Sequence, residues 1–289
     1  MINTSRILVL GSTGQLGSEI RYLCSDITDN EWIFADRSAL DLTDSSAIDA
    51  YVAKHAPQVI INCAAYTAVD NAEREADLAN QINHLAVRAL ALAAKKMGAS
   101  LIHISTDYVF DGRHHRPYFP DDLTEPTGEY GKSKLAGEQA IVATNVRGII
   151  IRTSWVYSCF GGNFVKTMLR LGAEKPSLNV VADQVGSPTW ARDLAQAIIH
   201  ITAHSEIANK TGEIYHYSNT GACSWFDFAE HIMNHRQLSC KLSPIRTEEY
   251  PTPAQRPHYS VLDCRKICDD FDISIPYWNH SLAKSLVEF

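Results

Sequence analysis

Short apolar runs alternate with amphipathic helical stretches along the first half of the chain. Five runs rich in β-branched residues and bounded by turn residues are predicted strands: Arg6–Leu10, Trp32–Ala35, Gln58–Asn62, Ser100–Ile104 and Gly148–Arg152. Between these strands lie helical patterns, and in Leu85–Met97, for example, the apolar residues recur on one stripe. Strands that are apolar throughout and alternate with helices are typical of a parallel sheet covered on both faces. We therefore predict an α/β fold with a doubly wound parallel sheet.

A glycine-rich turn follows the first predicted strand directly. Gly11, Gly14 and Gly17 have the spacing G-x-x-G-x-x-G, and a helical pattern begins inside this loop. Such a loop lets the backbone approach a pyrophosphate, and the helix N-terminus supplies N–H donors. Asp36 follows the second strand, where a carboxylate would accept hydrogen bonds from ribose hydroxyls. The arrangement predicts a Rossmann-type domain that binds NADPH or NADH, and Arg37 beside Asp36 leaves the choice between them open.

The second half of the chain lacks this regular alternation. Seven of the 11 prolines lie after residue 152, and irregular segments separate the helical stretches there. We predict an NAD(P)-binding domain over residues 1–152 and a smaller, less regular portion over residues 153–289 that mainly binds substrate. We also expect the second portion to return some strands to the main sheet.

A tyrosine and a lysine lie one helical turn apart in the segment YGKSKLAGE. Tyr130 and Lys134 are at positions i and i+4, so their side chains share one helix face. An unperturbed phenol has a pKa of about 10, which is high for acid–base chemistry at neutral pH. A nearby cation favours the phenolate, so we expect Lys134 to lower the pKa of Tyr130. Thr106 and Asp107 follow the fourth strand, whose end meets the same crevice as the glycine loop.

Together these motifs resemble the extended short-chain dehydrogenase/reductases and, within them, the dTDP-4-dehydrorhamnose reductase family. Eight stretches carry the resemblance, in order from residue 11 to residue 263: GSTGQLG, INCAAYTAVDNAE, HISTDYVFDG, YGKSKLAGE, RTSWVY, NFVKTMLR, DQVGSPT and PTPAQRPHYSVLD. The resemblance implies reduction, by NADPH or NADH, of the 4-keto group of a nucleotide-linked 6-deoxyhexose. In that family the substrate is dTDP-4-dehydro-L-rhamnose and the product is dTDP-L-rhamnose.

The resemblance also implies roles for individual residues. Tyr130 would protonate the C4 oxygen, Lys134 would tune Tyr130 and hold the nicotinamide ribose, and Thr106 would hydrogen-bond the reacting carbonyl. Asp107 and Trp155 would lie around the sugar, because an indole can pack against the C–H face of a deoxysugar. The residues expected around the cofactor are Gly11, Gly14, Gln15, Leu16, Gly17, Asp36, Asp41, Leu42, Ala65, Tyr66, Thr67, Tyr130 and Lys134. Many relatives have His where this chain has Tyr66.

Charge and composition limit the partners of the chain. A net charge of −7 argues against a nucleic-acid or membrane-surface binder, so we expect neither as a partner. The expected substrate is an anionic nucleotide sugar, so local cations must hold its diphosphate, and the candidates are Lys166, Arg170 and Arg256. Residues Met1–Arg6 show no secretory signal, and seven scattered cysteines without a C-x-x-C pair indicate free thiols. We expect a cytoplasmic protein and leave a homodimer open.

Some motifs of the chain also fit functions other than a reductase. His231 and His235 have the spacing of a zinc-binding helix but lack the glutamate of H-E-x-x-H, so we expect no metal site. An extended-family epimerase or dehydratase stays open, although dehydratases carry an Asp-Glu pair where this chain has Asp107 and Tyr108. A non-catalytic dinucleotide-binding subunit, similar to the regulatory subunit of methionine adenosyltransferase, also stays open.

Overall fold

The structure, a computed structural model, describes residues 5–27 and 29–289 of the chain. Its strands are β1 (Arg6–Leu10), β2 (Glu31–Ala35), β3 (Val59–Asn62), β4 (Ser100–Thr106), β5 (Gly148–Thr153), β6 (Val156–Tyr157), β7 (Ser177–Val181), β8 (Val185–Gly186), β9 (Thr189–Trp190), β10 (Thr211–His216), β11 (Cys223–Ser224) and β12 (Lys241–Ile245). Its α-helices are α1 (Gln15–Leu23), α2 (Ser45–His55), α3 (Val69–Ala72), α4 (Ala76–Asn80), α5 (Ala86–Met97), α6 (Glu129–Thr144), α7 (Phe164–Glu174), α8 (Ala191–Ala203), α9 (Trp225–His235), α10 (Arg265–Phe271) and α11 (Trp278–Ser285). Residues 1–4, which fall in the predicted 1–152 domain and in the segment Met1–Arg6, lie outside the described residues.

The centre of the fold is a parallel sheet of six strands in the order β10-β5-β4-β3-β1-β2. Its strands β1 to β5 coincide with the five predicted strands to within two residues at each end. The predicted α/β class with a doubly wound parallel sheet is confirmed. The edge strand β10 comes from the second half of the chain and pairs with β5.

Both faces of the central sheet are buried under helices. Ile7 and Val9 of β1 belong to an apolar cluster that includes residues of α1, α8 and α10 on one face. Leu8 and Leu10 belong to a second cluster with residues of α2, α5 and α6 on the other face. Because successive side chains of a strand point to opposite faces, a strand buried on both faces must be apolar at every position. This explains the uninterrupted apolar runs of the sequence.

Helix α5 shows one difference from the predicted helix Leu85–Met97. The α-helical turns begin at Ala86, and Leu85 belongs to a wider π-helical turn over Gln81–Leu85. The helix ends where Gly98 adopts a left-handed conformation with φ of +68°, which glycine tolerates without steric cost. Its buried stripe is the predicted one and packs on the α2, α5 and α6 face of the sheet.

The second half of the chain builds a smaller layer around its own apolar cluster. Helices α7, α9 and α11 pack around Phe228, Ile232 and Trp278, with short strand pairs β7–β12, β8–β11 and β6–β9 beside them. Polar contacts join this layer to α1, because Ser158 and Arg192 both donate to the buried Glu19 carboxylate at 2.6 and 2.7 Å. The second half is thereby fixed beside the glycine loop.

Among the described residues, no helix combines the length and the apolar character that crossing a membrane requires.

Candidate active site

A cavity of about 840 Å³ opens where the main strands end. Its wall includes the carboxyl-terminal region of each of β1 to β5, and residues of the second half of the chain close the other side. The predicted site residues that line it are Gly11, Gly14, Gln15, Leu16, Asp36, Asp41, Leu42, Ala65, Tyr66, Thr67, Thr106, Asp107, Tyr130, Lys134 and Trp155. Parallel strands bring their carboxyl ends to one edge of the sheet, which is where doubly wound folds bind ligands.

Gly17 is the one residue predicted to bind the cofactor or the sugar that does not line the cavity. It lies beneath the glycine loop, where a Cβ atom would collide with the carbonyl oxygen of Gly11. Gly11 itself has φ of +72°, and a Cβ there would come 2.7 Å from the backbone nitrogen of Ala64. Gly17 therefore allows the loop and α1 to pack together, and Gly11 allows the loop to approach the chain after β3.

The N-terminus of α1 faces this cavity without a capping side chain. Gly14 is the residue before the helix and makes no side-chain capping bond, and the first turn contains no acidic residue. The first N–H groups of a helix have no partner inside the helix, and they attract anions. This end of α1 therefore fits the pyrophosphate of a dinucleotide, in agreement with the glycine spacing.

Gln15 links the glycine loop to the second half of the chain. Its side-chain oxygen accepts a hydrogen bond from Asn163 at 2.9 Å, and its amide nitrogen donates to the carbonyl of Val156 at 3.4 Å. Asn163 also accepts from the backbone nitrogen of Lys166 and so caps α7. The glycine loop and the chain after β5 thus form one wall of the cavity, and α7 begins behind it.

Two carboxylates line the end of the cavity near β2. Asp36 accepts hydrogen bonds from the hydroxyl of Ser38 at 2.6 Å and from the backbone nitrogen of Ala39 at 3.1 Å, and these bonds lower its pKa. Asp41 accepts from the backbone nitrogen and the hydroxyl of Thr43, and its pKa is lowered for the same reason. Both side chains are therefore ionised at neutral pH, as a ribose-binding carboxylate must be.

Tyr130 and Lys134 are both buried on the cavity side of α6. The Lys134 amine donates to the carbonyl of Ile104 at 2.6 Å, and burial lowers the pKa of Lys134 to about 8. Burial raises the pKa of Tyr130 to about 12, and a hydrogen bond with Thr106 opposes this rise only in part. Our expectation that Lys134 lowers the pKa of Tyr130 is therefore wrong for this structure, because desolvation of the phenolate dominates and Lys134, whose amine donates to Ile104, does not lower this pKa. The phenol stays protonated at neutral pH, which is the form a proton donor needs.

A buried ion pair fixes α6 to the sheet behind these two residues. Glu138 lies one turn after Lys134 and pairs with Arg152 of β5 at 2.7 Å, and both side chains are 2% exposed. Ser105 of β4 also donates to Glu138. A buried pair is tolerated when its polar atoms are well hydrogen-bonded, as here. The sequence signal for Glu138 was its position on the helix face that carries Tyr130 and Lys134.

Asn83 is a second supporting residue that the sequence analysis did not identify. It is buried in the π-helical turn, accepts from the backbone nitrogen of Tyr66 at 2.9 Å and donates to the Tyr66 carbonyl at 3.1 Å. Its amide nitrogen also lies 3.1 Å from the hydroxyl of Ser133 on α6. Asn83 thereby holds the loop of Ala65 and Thr67 against α6. A lone asparagine in a helical pattern gives no sequence signal for this role.

Thr106 and Asp107 form a hydrogen-bonded pair at the end of β4. The Thr106 hydroxyl donates to Asp107 at 3.0 Å and accepts from the backbone nitrogen of Tyr108 at 3.2 Å. Burial raises the pKa of Asp107 to about 6, against the opposing effect of hydrogen bonds from Ser260 and Thr106. Both side chains therefore sit in a desolvated region next to the Tyr130 phenol.

Two stacked indoles of the second half of the chain line the cavity. The ring centroids of Trp155 and Trp225 are 3.5 Å apart and their planes differ by 7°. Trp155 has φ of +47°, a left-handed conformation that is rare for a bulky side chain. Gly186 leaves room for it, since a Cβ there would come 2.6 Å from the Trp155 ring. Trp225, the first residue of α9, was not predicted, because nothing in its local sequence separates it from a core residue.

The three candidate cations for the diphosphate do not line the cavity among the residues that the structure describes. Arg170 is an exposed residue of α7 that pairs with Glu174 at 3.0 Å. Arg256 pairs with Asp70 at 2.8 Å. That Lys166, Arg170 and Arg256 hold the diphosphate stays a prediction, and in this structure the two arginines are paired with carboxylates of the chain.

Glu19, Cys159 and Glu288 bring two carboxylates and a thiol close together outside the cavity. The guanidinium of Arg192 forms ion pairs with both carboxylates. The charge of Arg192 thus balances the two carboxylates of this cluster.

Comparison with known proteins agrees with this geometry. The family described as "RmlD substrate binding domain" matches residues 5–289. The chain is 41% identical over 286 residues to the spore coat polysaccharide biosynthesis protein SpsK of Bacillus subtilis, covering 98% of both chains. It is 38% identical over 292 residues to the dTDP-4-dehydrorhamnose reductase of Escherichia coli, covering 98% of this chain and 97% of that protein.

Solved structures show the same relationship. The dTDP-4-dehydrorhamnose reductase of Bacillus anthracis, in complex with NADP, has a TM-score of 0.92 at 38% identity, covering 99% of this chain and 100% of that one. The corresponding protein of Clostridium acetobutylicum has a TM-score of 0.91 at 40% identity, with 98% of both chains covered. A dTDP-glucose 4,6-dehydratase of Streptomyces venezuelae shares the fold at 18% identity. The chain therefore belongs to the dTDP-4-dehydrorhamnose reductase family.

Proposed function

We propose that the protein is an oxidoreductase that uses NADPH or NADH to reduce dTDP-4-dehydro-L-rhamnose to dTDP-L-rhamnose. The observation that carries the proposal is one cavity in which Tyr130, Lys134 and Thr106 lie together with the uncapped N-terminus of α1. A reductase needs a dinucleotide site and a proton donor within reach of each other, and this cavity provides both. Relatives that carry the reductase name cover nearly the whole chain.

Each of three residues in the cavity would have its own role in the reaction. Bound nicotinamide would supply the hydride that adds to C4 of the sugar. The protonated phenol of Tyr130 would donate its proton to the C4 oxygen, so that a hydroxyl forms and no alkoxide persists. The hydroxyl of Thr106 would donate a hydrogen bond to the same oxygen, and Lys134 would hold the nicotinamide ribose. Such a donor stabilises the charge that develops on the oxygen during hydride transfer.

The sugar nucleotide would lie between the two portions of the chain, 1–152 and 153–289. The paired faces of Trp155 and Trp225 give an apolar surface on the side of the second portion. The C–H face of a 6-deoxyhexose can pack on such a surface. Asp107, which shares this end of the cavity with Thr106, would accept a hydrogen bond from a sugar hydroxyl.

One observation favours a reductase over a dehydratase. Tyr108 occupies the position where dehydratases of the extended family carry the second carboxylate, and its ring packs edge-on against Tyr130 with centroids 5.5 Å apart. Burial raises the pKa of Tyr108 well above its ordinary value, so this phenol stays neutral. A neutral phenol is a poor base for the elimination that a dehydratase performs.

The test is turnover by the purified protein. We expect dTDP-4-dehydro-L-rhamnose to be consumed together with NADPH or NADH, with dTDP-L-rhamnose as the product. dTDP-glucose is the matched control, and we expect no 4-keto product from it. Cofactor binding without turnover of any 4-keto sugar nucleotide would instead support the non-catalytic subunit.

Cofactor choice can be tested at Asp36. Its ionised carboxylate would repel a 2′-phosphate, so we expect NADH to be used at least comparably to NADPH. Asp36→Ala should shift the ratio of kcat/KM values toward NADPH. Arg37→Ala is the matched control and should shift the ratio the other way, because a cation beside the 2′ position is lost. A wild-type protein that strongly prefers NADPH, together with an unchanged ratio in Asp36→Ala, would contradict the ribose assignment.

The cytoplasm is the compartment we propose. Each of the seven cysteines, all within the described residues, carries a free thiol. Three of them, Cys24, Cys223 and Cys240, are buried. Free thiols persist in a reducing compartment such as the cytoplasm.

A further inference from the structure

A row of three buried polar side chains runs from the end of β3 to the catalytic lysine. Asn62, His103 and Lys134 are 1%, 0% and 1% exposed. The amide nitrogen of Asn62 lies 3.1 Å from Nδ1 of His103, and Nε2 of His103 lies 3.3 Å from Nζ of Lys134. The residue types alone do not fix which atom of each pair carries the proton.

A backbone N–H group determines which atoms of this row donate and which accept. The N–H of Ala64 donates to Oδ1 of Asn62 at 3.1 Å. Since an N–H can only face an acceptor, this bond places the Asn62 oxygen toward Ala64 and the Asn62 NH₂ toward His103. Nδ1 of His103 must then be the acceptor. Burial lowers the pKa of His103 well below its ordinary value, so the ring is neutral and its single proton lies on Nε2.

The Nε2–H group of His103 therefore points at Lys134. An ammonium group has three donors and no acceptor, whereas a neutral amine has a lone pair that can accept. One N–H of Lys134 is already used by the carbonyl of Ile104 at 2.6 Å. An ammonium at this place would set two donors against each other in a desolvated site, and a neutral amine would complete the row.

The other ionisable groups around Lys134 do not reverse the preference for its neutral amine. Glu138 favours the ammonium, but its charge is paired with Arg152. Cys63 lies beside the amine after β3, and burial raises the pKa of its thiol to about 12, so the thiol is neutral. Tyr130, one turn earlier on α6, is neutral as well.

We propose that His103 is a positioning residue which, with its proton placed on Nε2 by Asn62 and the Ala64 amide, donates to Lys134 and favours the neutral amine. The consequence for catalysis rests on the proposed function. A charged Lys134 would stabilise the phenolate that Tyr130 leaves behind, so kcat/KM should fall as pH rises through the pKa of Lys134. His103 would thereby set the alkaline limit of the reaction.

The first test is the tautomer of His103 in the free wild-type protein. Nitrogen-15 NMR of histidine-labelled protein distinguishes a proton on Nε2 from one on Nδ1, and His103→Leu identifies the resonance among the 12 histidines. We expect the Nε2–H form. A proton on Nδ1 would overturn the proposal. The measurement uses neither substrate nor cofactor, so its outcome is independent of the turnover assay.

The second test reverses the direction of the hydrogen bonds that join Asn62, His103 and Lys134. In Asn62→Asp, one carboxylate oxygen can still accept from Ala64 while the other accepts from Nδ1 of His103, which moves the ring proton to Nδ1. Nε2 then accepts from an ammonium, and the pKa of Lys134, followed by carbon-13 NMR of its labelled side chain, should rise by about one unit or more. The alkaline limb of kcat/KM should move to higher pH by the same amount.

The new negative charge of Asn62→Asp also favours an ammonium directly, and a double variant separates the two effects. Asn62→Asp combined with His103→Leu keeps the charge and removes the imidazole. The effect of Asn62→Asp is then measured twice, from wild type to the single variant and from His103→Leu to the double variant. We expect a much smaller rise in the pKa of Lys134 in the His103→Leu background. A rise of the same size in both backgrounds would show that charge alone acts and that His103 has no positioning role.

Discussion

Replacing Tyr130 by phenylalanine should lower kcat by about 10²–10⁴, which is the range for losing a positioned acid. The variant keeps the ring, which packs with Tyr66, Val69 and Tyr108 in a small apolar cluster. It removes only the hydroxyl, and the structure keeps that hydroxyl protonated because burial raises the pKa of Tyr130 to about 12. We therefore expect cofactor binding and the melting temperature to stay near their wild-type values while the proton transfer fails.

Tyr108→Phe is the matched control for this prediction. Tyr108 is also a phenol that lines the cavity, is partly buried, and has its ring edge-on against Tyr130. Removal of its hydroxyl should cost less than about tenfold in kcat, because no step assigned to the cavity uses it as an acid. The rates of the two variants are compared by single-turnover oxidation of the reduced cofactor, with each variant saturated with cofactor and substrate. Turnover by Tyr130→Phe within a few-fold of the wild-type rate would remove Tyr130 from its role.

Much of the fold was predictable because it depends on local patterns. An apolar strand such as Arg6–Leu10 has few alternatives to a sheet buried on both faces, and β1 to β5 appear where the sequence predicts them. The glycine spacing was equally informative, because a side chain at Gly11 would collide with the chain after β3. The i and i+4 relation of Tyr130 and Lys134 fixed their common face once α6 formed.

The supporting residues of the site could not be predicted in the same way. Asn83 and Arg152 act through contacts that span 17 and 14 residues, to Tyr66 and Glu138. Such contacts depend on how the elements pack, which no short pattern specifies. The stack of Trp155 on Trp225 joins residues 70 positions apart for the same reason.

The charge states of the site were the least predictable property. The sequence places a cation one turn from a phenol, which alone would lower the pKa of Tyr130. The structure shows that both groups are desolvated, which raises the pKa of Tyr130 and lowers that of Lys134. The ion pairs of the candidate cations were equally unpredictable. Arg170 pairs with Glu174, and Arg256 pairs with Asp70.

Thr106→Val should lower the rate of hydride transfer by about 10²–10³, corresponding to about 2.7–4 kcal/mol for the loss of one donor to a developing oxyanion. Valine keeps the branched shape of threonine and loses the hydroxyl. Thr106→Ser should stay active, because it keeps the hydroxyl and loses only a methyl group. Cofactor affinity should hold in both variants, since the hydroxyl is assigned to the carbonyl of the substrate and not to the dinucleotide.

A purely structural role for Thr106 makes a different prediction. Its hydroxyl accepts from the backbone nitrogen of Tyr108 and donates to Asp107, so it also caps the turn that follows β4. If the cap were its only role, Thr106→Val would melt at a lower temperature, and the folded fraction would transfer hydride at the wild-type rate. Single-turnover kinetics and a melting temperature for the Val and Ser variants separate the two roles. A Val variant that is stably folded and as fast as the Ser variant would contradict the assignment of Thr106 to the reacting oxygen.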